Sequence, residues 1–167
     1  FQQDSWVSSL CFHPNGRLLA SCTGILTMGK IEGLPSIGVI KIWDIYSKIQ
    51  VTRIQYDVPA WSICFSSDGK MLAIGLNNNN VNVLDFPSER GIFTFKHDNS
   101  VSSLSFSPDN KLLASGGHDN TVRIWSLHTA SEAMRIQYDT WIASVRFSPD
   151  GSLLAIGLGN GTVKVWG

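Results

Sequence analysis

The chain repeats itself at a fixed distance, and this limits its fold more than any single residue does. RIQYD stands at positions 53–57 and again at 135–139, and LAIGL at 72–76 and 154–158, both pairs 82 residues apart. Half of that shift is also a period: Trp43, Leu84, Trp125 and Trp166 lie 41 residues apart, as do Phe65, Phe106 and Phe147. Self-similarity on this scale means that each unit is one supersecondary element unable to bury its apolar face alone, so neighbouring units must stack to make a core. The first unit joins the series with an insertion. VSSLCFHPNGRLLAS at 7–21 matches VSSLSFSPDNKLLAS at 101–115 at a shift of 94 rather than 82, so twelve residues are extra. They lie within 22–38, because the period is restored at Trp43. The units run over roughly 1–53, 54–94, 95–135 and 136–167 of a single domain, 1–167.

Each unit reads as four short strands. Residues 101–107 alternate, with Leu104 and Phe106 on one face and Val101, Ser103 and Ser105 on the other, the period-2 pattern of a strand. Asn15-Gly16, Asp68-Gly69 and Asp150-Gly151, with Asp109-Asn110 in the third unit, follow at equivalent places and supply the positive φ of a tight hairpin. The second strand covers 112–115, His118-Asp119-Asn120 turns the chain into 121–125, and a fourth run lies around 133–137. No segment sustains a helical period. Four antiparallel strands every 41 residues predict an all-β fold built of β-propeller blades.

LLASGGHDNTVRIWS at 112–126 and VIKIWD at 39–44 resemble the WD-repeat family, and the resemblance spans essentially the whole chain. It implies a hydrogen-bonded tetrad of His, Ser, Asp and Trp, which only the third unit matches completely, at His97, Ser115, Asp119 and Trp125. Those residue types look like a nucleophile with its base and orienter. In this family they tie a turn to the strands by satisfying buried polar groups. The 41-residue shift puts Tyr138, Ile156, Asn160 and Trp166 at these places in the fourth unit, and Tyr56, Ile74, Asn78 and Leu84 in the second. There an apolar contact is expected instead of a polar clamp. Propellers of this family typically have seven blades, so four units form a partial propeller continued by further blades, or half of an eight-bladed ring completed by a homodimer. The opening Phe1, with neither an initiator Met nor a basic-then-apolar leader pattern, is expected of a piece of a longer polypeptide.

Composition narrows the function. Hydrophobic residues make up 43% and charged residues 16%, which excludes a disordered chain. Thirteen basic and thirteen acidic residues cancel, leaving no global footprint for nucleic acid, chromatin or an anionic membrane. Lys41, Arg123 and Lys164 recur at one strand position and are expected on a solvated outer face. The longest apolar runs, 71–76 and 153–158, fall far short of the ~18 residues that cross a bilayer. Cys11, Cys22 and Cys64 are odd in number and lack Cys-x-x-Cys spacing, so an intracellular setting, cytoplasmic or nuclear, is expected in place of a disulfide framework or zinc site. The four histidines are dispersed, and no phosphate loop, His-Glu-x-x-His or Gly-x-Ser-x-Gly motif occurs. No metal, cofactor or catalytic residue is nominated.

Loops on a rigid frame are free to specialise. The insertion is rich in apolar residues, among them Ile25, Met28 and Leu34, and either packs on a partner or a neighbouring blade, or is a long hairpin or a segment with no folded role. Trp6 and Trp141 sit just before the equivalent Val7 and Ile142, as exposed hot spots or as packing between blades, and His118 stands beside the tetrad Asp119. The expected function is a non-catalytic scaffold for protein or peptide partners in a multiprotein complex, with the loops of one propeller face as its surface. The alternative is a regulatory or substrate-recruiting propeller within a larger enzyme; RNA or chromatin binding is a third reading, against which the neutral charge argues.

Overall fold

The computed structural model describes residues 1–3, 5–24 and 37–167. Among them every regular element is a strand. The first sheet joins β1 (Val7–Phe12), β2 (Leu18–Gly24), β3 (Gly38–Asp44) and β4 (Ile49–Tyr56) in sequence order. The second joins β5 (Ala60–Phe65), β6 (Met71–Leu76), β7 (Asn80–Asp85) and β8 (Gly91–Lys96). The third joins β9 (Val101–Phe106), β10 (Leu112–Gly117), β11 (Thr121–Ser126) and β12 (Ser131–Gln137). The fourth holds only three strands, β13 (Ile142–Phe147), β14 (Leu154–Leu158) and β15 (Val163–Trp166). The result is an all-β partial propeller of four blades whose sheets do not close into a ring. No helix of the described residues is long and apolar enough to cross a membrane.

The hairpins follow from their turn residues. Gly16, Gly69, Asn110 and Gly151, all at one position of the repeat, have φ of 68°, 73°, 57° and 76°, which Gly and Asn tolerate best. The preceding Asp68, Asp109 and Asp150 accept hydrogen bonds from the Ser66, Ser107 and Ser148 hydroxyls at 2.7, 2.6 and 2.5 Å. Each turn is thereby fastened to the strand that leads into it.

The core lies in the seams between blades, not within any one of them. Each blade has a leading face, turned to the blade before it, and a trailing face, turned to the blade after. At the first seam Ala20, Cys22, Ile40 and Ile42 of blade one meet Ala60, Ile63, Phe65, Leu72, Ile74 and Leu84 of blade two. At the second, Ala73, Val81 and Val83 meet Val101, Leu104, Phe106, Leu113 and Trp125. At the third, Ala114, Val122 and Ile124 meet Ile142, Val145, Leu154 and Ile156. Alternation along 101–107 therefore separates one seam from the next, and both faces are buried. Val101 belongs with Leu104, contrary to its parity, because the pairing of β9 with β10 shifts register between Gly116 and Gly117. A bulge of this kind turns the residue beyond it onto the other face.

Candidate functional site

In an antiparallel meander the starts of the first and third strands share an edge with the ends of the second and fourth. Residues before β5, β9 and β13 therefore meet those after β6, β10 and β14 along one rim of the propeller. The same backbone bond recurs there: Asn77 N–H donates to Pro59 O at 2.9 Å, His118 N–H to Ser100 O at 2.8 Å, and Gly159 N–H to Trp141 O at 2.9 Å.

Blade three anchors its part of this rim with a buried polar circuit. Trp125 Nε1–H donates to Ser115 Oγ at 2.7 Å, and Ser115 Oγ lies 2.6 Å from His97 Nε2. His97 Nδ1 meets Asp119 Oδ2 at 2.9 Å. With Nδ1–H given to the carboxylate, Nε2 is an acceptor, so the Ser115 hydroxyl donates to it while accepting from the indole. Burial raises the Asp119 pKa, but His97, the Asp98 N–H and the Thr121 hydroxyl outweigh it and hold the carboxyl well below its usual range. Ser115 and His97 are both fully buried. A hydroxyl with its proton and acceptor site engaged, and no path to solvent, holds two strands together and has no means of attacking a substrate.

Arg123 completes the arrangement. It is 3% exposed, which corrects the expectation of a solvated outer face. Its parity matches Trp125, so it points into the seam toward blade two. There it donates to Lys96 O at 2.9 Å and Asp119 Oδ2 at 3.0 Å, and it pairs with Asp98 at the rim. Lys41 is likewise buried and donates to Gln2 O at 3.1 Å, the equivalent carbonyl one repeat pair earlier. Lys164 alone of the three is exposed.

Three further clasps escape the His-based pattern. In blade one Gln3 stands in the place of His97, and Ser21 Oγ accepts from both the Gln3 amide and Trp43 Nε1–H, the latter at 3.0 Å. In blade four Trp166 Nε1–H donates to the Tyr138 hydroxyl at 2.8 Å. In blade two Tyr56 hydrogen-bonds Asn82 while packing on the first seam. Tyr56 and Tyr138 make the expected apolar contact, packing on the clusters that hold Ile74 and Ile156, and in addition each keeps its polar end paired.

On the rim, His118 and Trp141 lie together with ring centroids 5.1 Å apart. A Cβ on Gly159 would overlap the Trp141 ring, so the indole rests directly on that glycine, 41% exposed. Trp6 is 73% exposed at the corresponding place in blade one, three blades from Trp141 and two from His118. Trp61 also reaches this rim, donating to Asn77 Oδ1 at 3.1 Å; period comparison hid it, since Ser8, Ser102 and Ala143 hold its position elsewhere. Ile25, Met28 and Leu34 lie outside the described residues. Burial pushes the Cys22 thiol up to about 11 and raises Cys11 and Cys64 as well, so none of the three is a nucleophilic thiolate at neutral pH.

A family model described as WD domain, G-beta repeat, matches residues 1–24, 90–126 and 134–167, more than half of the chain. No curated protein matches it.

Proposed function

This chain belongs to the WD-repeat family, and from that premise we propose that it is a non-catalytic scaffold binding a protein or peptide partner of a multiprotein complex on the rim around Trp141, His118 and Trp6. Repeats of this family generally mediate contacts between proteins. The observation that carries the assignment to this rim is the half-exposed Trp141 laid on Gly159 beside His118. An aromatic surface held in one orientation loses little entropy on binding, and Trp is the residue most enriched among interface hot spots. The tetrad and Arg123 fix the loop that carries His118, so the surface is preorganised. Three free cysteines suit a reducing compartment, the cytoplasm or nucleus.

The test is selection of peptides from a display library on the immobilised protein, followed by titration of the selected peptides. Trp141→Ala and His118→Ala should each weaken them at least tenfold, and Lys111→Ala, in a turn on the opposite edge, should leave them unchanged. Selected peptides that bind the Trp141 and His118 variants at full affinity would overturn the assignment.

A further inference from the structure

The rim that bears Trp141 and His118 carries charge of one sign. Its described loops, 57–59, 77–79, 97–100, 118–120, 138–141 and 159–162, hold four aspartates, Asp57, Asp98, Asp119 and Asp139, and no lysine or arginine. The loops of the opposite edge, 13–17, 45–48, 66–70, 86–90, 107–111, 127–130 and 148–153, hold five cations and four carboxylates. In a chain whose thirteen basic and thirteen acidic residues cancel, this separation gives the two edges different fields, and the rim is the one that draws cations.

Blade three shows what a carboxylate at this place takes. Asp57, Asp98 and Asp139 hold one position of the repeat, 41 residues apart. Asp98 pairs with the guanidinium of Arg123 and, at 3.8 Å, with that of Arg135, while Asp119 takes Arg123 at 3.0 Å. Blade three thus satisfies its own rim carboxylates. At the positions of Arg123 and Arg135, blade two has the neutral Asn82 and Thr94, which bond each other at 3.2 Å. At the position of Arg123, blade four has Lys164, which makes no ion pair with Asp139. Asp57 and Asp139 are exposed, and neither has an ion pair or a side-chain hydrogen bond among the described residues.

Each of these two carboxylates stands near an indole in the chain. Asp139 comes two residues before Trp141, at most about 7 Å of backbone, and Asp57 four before Trp61, whose indole also reaches the rim. An indole face attracts an ammonium or guanidinium within about 6 Å of its centre, so ring and carboxylate draw the same cation. We infer that the partner of this rim is a peptide segment bearing lysine and arginine, with one of its cations held between Trp141 and Asp139. The inference rests on the assignment of the rim as the binding surface and adds the charge of what binds there. An acidic segment or a phosphate backbone meets like charge on this edge.

The experiment uses two display libraries of octapeptides, identical except that one fixes lysine or arginine, and the other glutamate, at two central positions. Each is selected on the immobilised 167-residue protein at low salt. Binders that Trp141→Ala weakens at least tenfold should come from the basic library. Asp139→Asn removes a charge from an exposed loop; it should leave the thermal midpoint unchanged and weaken those binders about threefold. Raising the salt should weaken them too, and the salt dependence should shrink in the double variant Asp57→Asn/Asp139→Asn. Glu89→Gln, in a loop of the opposite edge, should change nothing. Trp141-dependent binders that come equally from the glutamate library, or that keep full affinity for Asp139→Asn, overturn the inference and leave the rim assignment standing. If neither library yields a binder sensitive to Trp141→Ala, the rim assignment fails and the inference falls with it.

Discussion

Replacing Trp125 with Phe removes one N–H and little else, since the phenyl ring retains the stacking on Phe95 that the indole makes at 4.7 Å between centroids. The lost N–H is the donor to Ser115 Oγ at 2.7 Å, in a site closed to water. An unsatisfied buried acceptor costs about 1–3 kcal/mol, and the void left by the smaller ring adds about 1 kcal/mol, so Trp125→Phe should destabilise by about 2–4 kcal/mol. The repeat supplies internal controls. Trp43→Phe breaks the matching bond to Ser21, but Ser21 keeps the Gln3 amide, so about 1 kcal/mol is expected. Trp166→Phe frees a Tyr138 hydroxyl at a half-exposed position, where water replaces the lost donor and the cost stays within about 0.5 kcal/mol. Urea unfolding of the three variants at 25 °C should shift the midpoint in that order with an unchanged slope. Equal losses for Trp43→Phe and Trp125→Phe would refute the argument, because burial and redundancy of donors would then not govern the cost.

Arg123→Met should lower stability by about 3–5 kcal/mol, since Asp119 and the Lys96 carbonyl lose their buried partner; Arg123→Lys should recover part of it, read as thermal midpoints. Gly159→Ala should displace Trp141 from its seat and weaken a rim-selected peptide tenfold or more, with a small effect on the unfolding midpoint. Acid should unfold the protein late. The Ser47 N–H and Arg17 hold the Asp44 carboxyl at about 2, the Ser148 hydroxyl does the same for Asp150, and Asp119 is lowered too. Carboxyls with depressed folded-state pKa values stabilise fully above the ordinary value near 3.8 and lose that contribution as pH falls through the folded value. Stability measured in urea should therefore be level from neutrality to about pH 5 and fall between about pH 4 and 2, and Asp119→Asn should flatten the fall.

What the sequence made legible was what depends on local chemistry repeated in phase. Aromatic residues at a 41-residue spacing and Asp-Gly or Asn-Gly at the hairpins encode strands and turns wherever they occur, so blade and hairpin positions could be placed before any packing was known. Arg123 and Lys41 were misread for a definite reason. Strand parity tells which of two faces a residue is on, but in this fold both faces meet a blade, so a cation on either face can be buried if the seam offers carbonyls and carboxylates. Gln3 was missed, and Tyr138 was read only as an apolar replacement, because the pattern of the tetrad asks for His, whereas the site asks only for a group that can hydrogen-bond Ser or Trp. The place of Trp141 on Gly159 depends on the close approach of two rim loops, and no residue in either loop announces it.

The doubled 82-residue block acquires a physical meaning once the seams are compared. Between blades one and two, and again between blades three and four, a ladder of small polar side chains crosses the inner strands. Ser8 donates to Ala60 O at 2.6 Å and Cys11 accepts from Phe65 N–H at 3.3 Å; Ser103 accepts from Val145 N–H at 3.0 Å and Ser105 from Phe147 N–H at 3.1 Å. The seam between blades two and three has Trp61 in place of Ser8 and Ser102; it keeps the contact of Cys64 with the Phe106 N–H and adds Arg123 reaching back to Lys96 and Asp98, beside the tetrad. Two kinds of joint therefore alternate, and the repeating object is a pair of blades. A charged, directional joint discriminates among partners more sharply than an apolar one, since a mismatch strands a buried charge. On the leading face of blade one Lys41 takes the place of Arg123 and donates to Gln2 O of the same chain, while Phe1 packs on Trp43, so the cation of that joint is already engaged there.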